Sequence, residues 1–237
     1  MKQEIDSLCK LLDGVALSNS FESDILKFSE FFLETAKTLN LTAIKEPHDV
    51  MIKHYYDSLY LLKTDIVTSG AKMIDIGCGG GFPSMPLKLA RPDCEFLLLD
   101  SLKKRLTFLD NAISMLGLQK ISTLHARAEE ASRKKEYRDS FDIAVSRAVA
   151  PLNLLCELCM PFVKVGGVFV AYKAKGTDDE ITAAKSAVSK LSGEIEKVID
   201  YELPEAMGTR TLVVIRKLKP THPSLPRSTK NMSKSPL

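Results

Sequence analysis

The stretch Lys72-Met-Ile-Asp-Ile-Gly-Cys-Gly-Gly-Gly-Phe82 runs from an apolar segment straight into a glycine-rich turn. Lys72–Ile76 has the length and composition of a short buried strand. Pro83 suits the first position of a following helix, where its missing N–H costs nothing. Gly77, Gly79 and Gly81 let backbone N–H groups meet a ligand with no Cβ in the way. They stand at a strand end, which is where open α/β sheets bind their ligands. The dinucleotide fingerprint Gly-x-Gly-x-x-Gly, begun at Gly77, requires glycine at position 82, and the chain has Phe82. The pattern present is Asp75-x-Gly77-x-Gly79-x-Gly81.

Downstream of this turn, strand and helix signals alternate, which predicts a parallel sheet with right-handed crossovers. A helix is expected over Pro83–Ala90, a strand over Cys94–Leu99 ending at Asp100, and a helix over Leu102–Leu116. Strands at Lys120–Leu124, Phe141–Val145 and Val168–Lys173 follow, with helices at Val149–Met160 and Asp178–Leu191. Two β segments, Glu194–Leu203 and Arg210–Lys217, read as an antiparallel hairpin at the sheet edge. Lys103, Lys104 and Arg105 crowd the first helical turn against the helix dipole, which marks them as candidates for contacting an anion.

Upstream, Ile5, Leu8, Cys9 and Leu12 fall at helical spacing. Ile25, Phe28, Phe31, Phe32 and Leu39 make one apolar stripe on a second helix. Asn40-Leu-Thr-Ala-Ile-Lys45 is a polar loop, and Pro47 opens a third helix running to about Leu62. In that helix His54 and Asp57, three apart, share a face and either pair or front a cleft. The expected division is therefore a helical cap at 1–69, a sheet domain at 70–217 and a basic flexible tail at 218–237.

The 237 residues, 45% hydrophobic, suffice for one large core. No run of about 18 apolar residues is present, so no membrane span is expected. The first residues lack the apolar core of a signal peptide, which points to a cytoplasmic protein. Cys156-x-x-Cys159 lacks the further ligands of a structural zinc site, so buried, inert thiols and no metal are expected. The net charge of +3 is unevenly spread: residues 1–70 carry 7 Lys against 11 Asp or Glu. The basic excess lies in the remainder and its C-terminal end, which suits a polyanionic partner.

The strand ends locate the candidate site. Asp100 can accept hydrogen bonds from both hydroxyls of a ribose, and also suits capping of the next helix. Ala128-Glu129, just past the third strand, stands where an adenine would be flanked. Ser146-Arg147 closes the fourth strand; arginine stays protonated and serves to clamp an anion or a guanine edge.

Taken together, the glycine turn and the five parallel strands closed by a hairpin resemble the Rossmann-like fold of S-adenosylmethionine (SAM) methyltransferases. The resemblance is closest to the ribosomal RNA small subunit methyltransferase G (GidB) family, and it covers nearly the whole chain. It rests on Asn40-Leu-Thr-Ala-Ile, His54-x-x-Asp57-Ser58-Leu59, Asp75-Ile-Gly-Cys-Gly-Gly-Gly-Phe-Pro83 and Leu99-Asp100-Ser101 with Lys104-Arg105. Arg127-Ala128-Glu129-Glu130, Asp142 to Arg147-Ala148, Tyr172-Lys173 and Pro226-Arg227 continue it. Cys78, Gly80 and Ser84-Met85 depart from the usual family residues in the turn.

The resemblance implies methyl transfer from SAM to N7 of a guanine in 16S ribosomal RNA. It implies a seven-stranded α/β sheet, with 16S rRNA or the small ribosomal subunit as partner; a monomer is expected. SAM contacts are expected from Asp75, Gly77, Gly79, Phe82, Asp100, Ala128, Glu129 and Arg147. Acceptor or RNA contacts are expected from Asn40, His54, Asp57, Arg105, Lys173 and Arg210, with Arg147 positioning the acceptor. Guanine N7 carries a lone pair and no proton, so no general base is expected.

Overall fold

The computed structural model describes residues 1–237. Two helices lead the chain, α1 (Lys2–Leu11) and α2 (Phe21–Ala36). The third helix, α3, is not uniform. It begins as α-helix (Pro47–Val50), widens to a π-helix (Met51–Tyr56), returns to α (Asp57–Leu59) and tightens to 3-10 (Tyr60–Lys63). The π segment carries His54 and leads directly into Asp57. Such widened turns recur at functional sites.

From there strands and helices alternate: β1 (Lys72–Ile76), α4 (Ser84–Ala90), β2 (Glu95–Asp100), α5 (Lys103–Met115), β3 (Ile121–His125) and the short α6 (Ala128–Ala131). Then come β4 (Phe141–Arg147), α7 (Leu152–Cys159), β5 (Val163–Ala174), α8 (Asp178–Lys190), β6 (Gly193–Glu202) and β7 (Thr209–Lys217). Pro83 stands one residue earlier than expected, at the N-cap of α4.

The seven strands lie in the order β3-β2-β1-β4-β5-β7-β6. β1 to β5 pair in parallel, and β7 joins β5 and β6 antiparallel. The order reverses between β1 and β4, and a crevice opens outside the carboxyl ends of strands at such a switch point. The glycine turn after β1 and Arg147 at the end of β4 both stand there.

Each strand alternates its side chains between two cores. On one side Met73, Val145, Val168, Val170 and Tyr172 pack with the N-terminal helices, α4 and α5. On the other, Ile74, Ala144, Phe169 and Ala171 pack with α7 and α8. The N-terminal helices therefore cover one sheet face and overhang the carboxyl ends of its strands. The cysteines are unpaired, and all but Cys9 are buried, burial pushing the Cys156 thiol up to about 12. No helix is long and apolar enough to cross a membrane.

Residues 218–237, expected as a flexible tail, instead pack against the outside of α6 and α7. Arg138 donates to the carbonyls of Thr221 (2.8 Å), His222 (3.0 Å) and Leu225 (3.0 Å). Arg227 pairs with the buried Glu157 of α7 at 2.6 Å, and a final helix, α9 (Thr229–Lys234), buries Met232. Leu225, Met232 and Arg227 of the tail each meet a prepared partner, which composition alone does not reveal.

Candidate active site

The crevice at the switch point is a cleft of about 820 Å³. Its walls come from the glycine turn, the ends of β2, β4 and β5, the loop after β5, and the cap loop Leu41–Ile44 with α3. The turn is pinned from below, because the N–H groups of Gly77 (2.8 Å) and Cys78 (3.1 Å) both donate to the carbonyl of Leu99. Gly77 has φ +76°, and a Cβ there would lie 2.6 Å from Val149. At Gly79, φ +55°, the nearest atom to an added Cβ is 3.9 Å away, so that side of the turn is open.

Asp100 is 2% exposed, yet its carboxylate borders the cleft. Oδ2 accepts the Gly79 N–H at 3.0 Å and Arg105 Nη1 at 3.4 Å; Oδ1 accepts the Leu102 N–H at 2.8 Å. Asp100 thus locks the glycine turn and begins α5 at once, with acceptor capacity left over. Arg105 sits against the dipole of α5 because it answers this buried carboxylate.

Phe82, the residue that breaks the dinucleotide fingerprint, explains the cap. Its ring stacks on His54 (4.8 Å, 25°) and meets Tyr55 (5.1 Å, 87°) and Phe32 (5.1 Å, 80°) edge-on. The Arg147 guanidinium lies 5.3 Å from the same ring. Glycine at 82 would remove the aromatic contacts that tie α2 and α3 to the turn.

Arg147 joins the sheet to the cap. Its Nη1 donates to Asp57 Oδ2 at 2.9 Å and lies 3.4 Å from the carbonyls of Lys53 and His54. Its Nη2 lies 3.3 Å from His54 Nδ1. Asp57 Oδ1 accepts the Tyr201 hydroxyl at 2.6 Å, with Arg210 Nε 3.9 Å away. Burial, then the neighbouring Arg147, lowers the His54 pKa to about 3, so the ring is neutral. His54 Nε2 lies 2.8 Å from Thr42 Oγ1. Lys173 borders the cleft too, tied to Glu180 at 2.6 Å.

The cleft therefore brings together Gly77, Gly79, Phe82, Asp100, Arg147, His54, Asp57, Arg105, Lys173 and Arg210. It does not include Asp75, Ala128, Glu129 or Asn40. Asp75 is wholly buried beneath the turn, where Oδ2 accepts the Ser84 hydroxyl at 2.8 Å and Oδ1 has no partner. Glu129 faces a separate groove with Arg127, Arg133 and the tail, and its carboxylate accepts the Thr229 hydroxyl. Ala128 belongs to the core beside α7, and Asn40 is exposed to solvent. Thr42, two residues beyond Asn40, borders the cleft together with Leu41 and Ile44. Tyr201 was also missed, since only the folded sheet brings β6 to Asp57.

The open glycine turn and the buried Asp100 carboxylate with spare acceptor sites fit the nucleoside of a SAM-sized ligand, and the cationic side chains at the mouth suit a polyanion. A family model described as rRNA small subunit methyltransferase G (GidB) matches residues 22–207. The chain is 44% identical over 210 residues to the "Ribosomal RNA small subunit methyltransferase G" of Lachnoclostridium phytofermentans, covering 89% of this chain and 87% of that one. It is 41% identical over 224 residues to the protein of that name from Alkaliphilus oremlandii, covering 94% of each. Among solved structures it is similar to M. jannaschii TYW2 in complex with AdoMet, with a TM-score of 0.50 and 17% identity over 63% of this chain and 69% of that one. With strands β1 to β6, helix α3 and every cleft residue but Arg210 inside the matched span, the chain belongs to the rRNA small subunit methyltransferase G (GidB) family.

Proposed function

We propose that the cleft holds SAM against the glycine turn and Asp100 and presents its methyl group to N7 of a guanine in 16S rRNA, beside Arg147. The reaction class is that of the family: the chain is a SAM-dependent rRNA methyltransferase. When bound, SAM supplies a methyl group made electrophilic by its sulfonium. The chain's own residues bind and orient. The observation that carries the reading is Arg147, fixed by Asp57 and His54 at the end of β4, at the switch point beside the glycine turn.

Guanine N7 attacks with a lone pair and releases no proton, so no base is needed. The site suits that chemistry: His54 stays neutral across the physiological range, and Arg147 can only donate hydrogen bonds. Rate then comes from holding two reactants in register, which supplies about 7–11 kcal/mol in favourable cases. Phe82, Asp57 and Tyr201 supply that rigidity by locking the cap to the turn. Lys103, Lys104 and Lys175 are exposed near the mouth and suit the RNA backbone.

The partner we assign is 16S rRNA, free or within the small subunit, met in the cytoplasm by a monomer. Ala128 and Glu129 remain assigned to the adenine side, next to β3, whose His125 pairs in register with Asp100. Mapping 7-methylguanosine in rRNA from cells with and without this protein tests the reaction. One 16S guanine losing its methyl group is the expected result; an unchanged map overturns it.

A further inference from the structure

The hydrogen bonds around His54 run in one direction and end in an open donor. Arg147 can only donate, so its Nη2, 3.3 Å from His54 Nδ1, requires a lone pair on Nδ1. The ring is neutral, so its single hydrogen is on Nε2. The Lys53 carbonyl also neighbours the ring and would favour the opposite arrangement, but Nδ1 cannot carry a hydrogen and face the Arg147 Nη2 donor at once. Nε2–H therefore donates to Thr42 Oγ1 at 2.8 Å. The Ile44 N–H donates to the same oxygen at 3.0 Å. Both lone pairs of the Thr42 hydroxyl are then filled, and its hydrogen has no acceptor in the protein. Thr42 borders the cleft that also holds the glycine turn.

We propose that the Thr42 hydroxyl selects guanine at the acceptor position by donating a hydrogen bond to the purine O6. The inference rests on the assignment of guanine N7 as acceptor and adds how that base is chosen. O6 lies beside N7 on the major-groove edge of guanine, where adenine presents an amino group. A fixed donor meets O6 favourably and meets the adenine amine donor against donor. N7 itself must keep its lone pair free, so the common bidentate arginine contact to O6 and N7 is unsuitable here. Arg147 is held back from it by Asp57 and His54, which take its Nη groups. A single neutral donor beside O6 meets both requirements.

The experiment pairs changes in enzyme and substrate. Unmethylated 16S rRNA, free and assembled into small subunits, is prepared with guanine, inosine or 2-aminopurine at the mapped position. 2-Aminopurine keeps N7 and lacks O6; inosine keeps both. Single-turnover methyl transfer is measured for the wild type, Thr42→Ser and Thr42→Val. The wild type and Thr42→Ser should lose about tenfold on 2-aminopurine, the scale of one neutral hydrogen bond, and little on inosine. Thr42→Val should be slower on guanine and lose nothing more on 2-aminopurine. The ratio is taken within each enzyme, so a general loss of folded protein cancels. Nitrogen-15 NMR of the free protein should find the His54 hydrogen on Nε2. An unchanged guanine preference in Thr42→Val, or a hydrogen on Nδ1, overturns the proposal. A wild type inactive on unmodified 16S rRNA in both forms overturns the assigned reaction, and the proposal with it.

Discussion

Arg147 at the end of β4 and Asp57 in the cap form an ion pair at 2.9 Å, with side chains only 13% and 4% exposed. The pair crosses between two parts of the chain ninety residues apart in sequence, and Tyr201 on the edge strand completes it. Arginine read from the sequence is a group that meets substrate; in the fold it is also a clamp.

Removing one partner of a buried ion pair costs about 3–5 kcal/mol, because the other charge is left uncompensated. Asp57→Ala should lower the unfolding free energy by about that much, and Tyr201→Phe by about 1 kcal/mol. Urea denaturation measures both. Arg147→Ala should then lose stability as well as methyl transfer. An Asp57→Ala protein as stable as the wild type would show that the pair contributes no net stability.

We assign Asp100 two duties, which two substitutions separate. Its carboxylate holds the Gly79 N–H and the Leu102 N–H. Asp100→Ala should weaken SAM binding by about 1.5–3 kcal/mol, the scale of one charge-assisted bond. It should also destabilise the free protein, because two backbone donors lose their acceptor. Asp100→Asn retains an acceptor oxygen and should recover part of the stability but less of the affinity. Calorimetric titration with SAM, alongside thermal unfolding, distinguishes the two effects; unchanged affinity in Asp100→Ala removes the residue from the site.

Much of this arrangement was legible along the chain. β1 is found where its apolar run places it, Lys72–Ile76, and the switch point follows from the alternation after it. Local signals sufficed because glycine turns and buried parallel strands are set by short-range sterics and hydrophobicity. The π turn at Met51–Tyr56 left no such mark. It accompanies the convergence of His54 and Asp57 on Arg147, a tertiary contact. Thr42 and Tyr201 were invisible for the same reason, each defined by a partner that folding brings to it. The tail misled through composition: Pro, Ser and Lys suggest disorder, but Leu225 and Met232 find pockets and Arg227 finds Glu157.

That docking changes how the tail is to be tested. Deleting residues 218–237 would strand Glu157, 1% exposed, as an unpaired buried carboxylate. Arg227→Ala alone should therefore destabilise the protein, and truncation more so. Whether the tail touches RNA is better asked with Lys230→Ala and Lys234→Ala, exposed positions with no ion-pair partner. Each lysine that contacts a phosphate should lower the magnitude of the log–log salt slope of RNA binding by about 0.7 for single-stranded segments. Filter binding over a salt series reads it; equal slopes would remove Lys230 and Lys234 from the RNA surface.

Asp75 and His54 give the fold two opposed pH dependences. Burial pushes the Asp75 carboxyl up from its ordinary 3.8 to about 7, with Ser84 and Arg147 offsetting part of the effect. Between about 4 and 7 the folded state keeps a proton that the unfolded chain has lost, so this group makes stability fall as pH rises. His54 acts the other way. Its pKa falls from 6.5 to about 3, so the unfolded chain binds the extra proton and stability rises with pH between those values. Over their shared window the two slopes oppose each other, each approaching about 1.4 kcal/mol per pH unit at its steepest. Asp75→Asn removes one slope and exposes the other. The stability of the wild type minus that of Asp75→Asn should fall steadily from pH 4 to pH 7 and level off above it. Every other titrating group cancels in that difference. Urea unfolding of both proteins at pH 4 to 8 supplies the numbers; a difference independent of pH would mean that Asp75 ionises in the fold as it does in the unfolded chain.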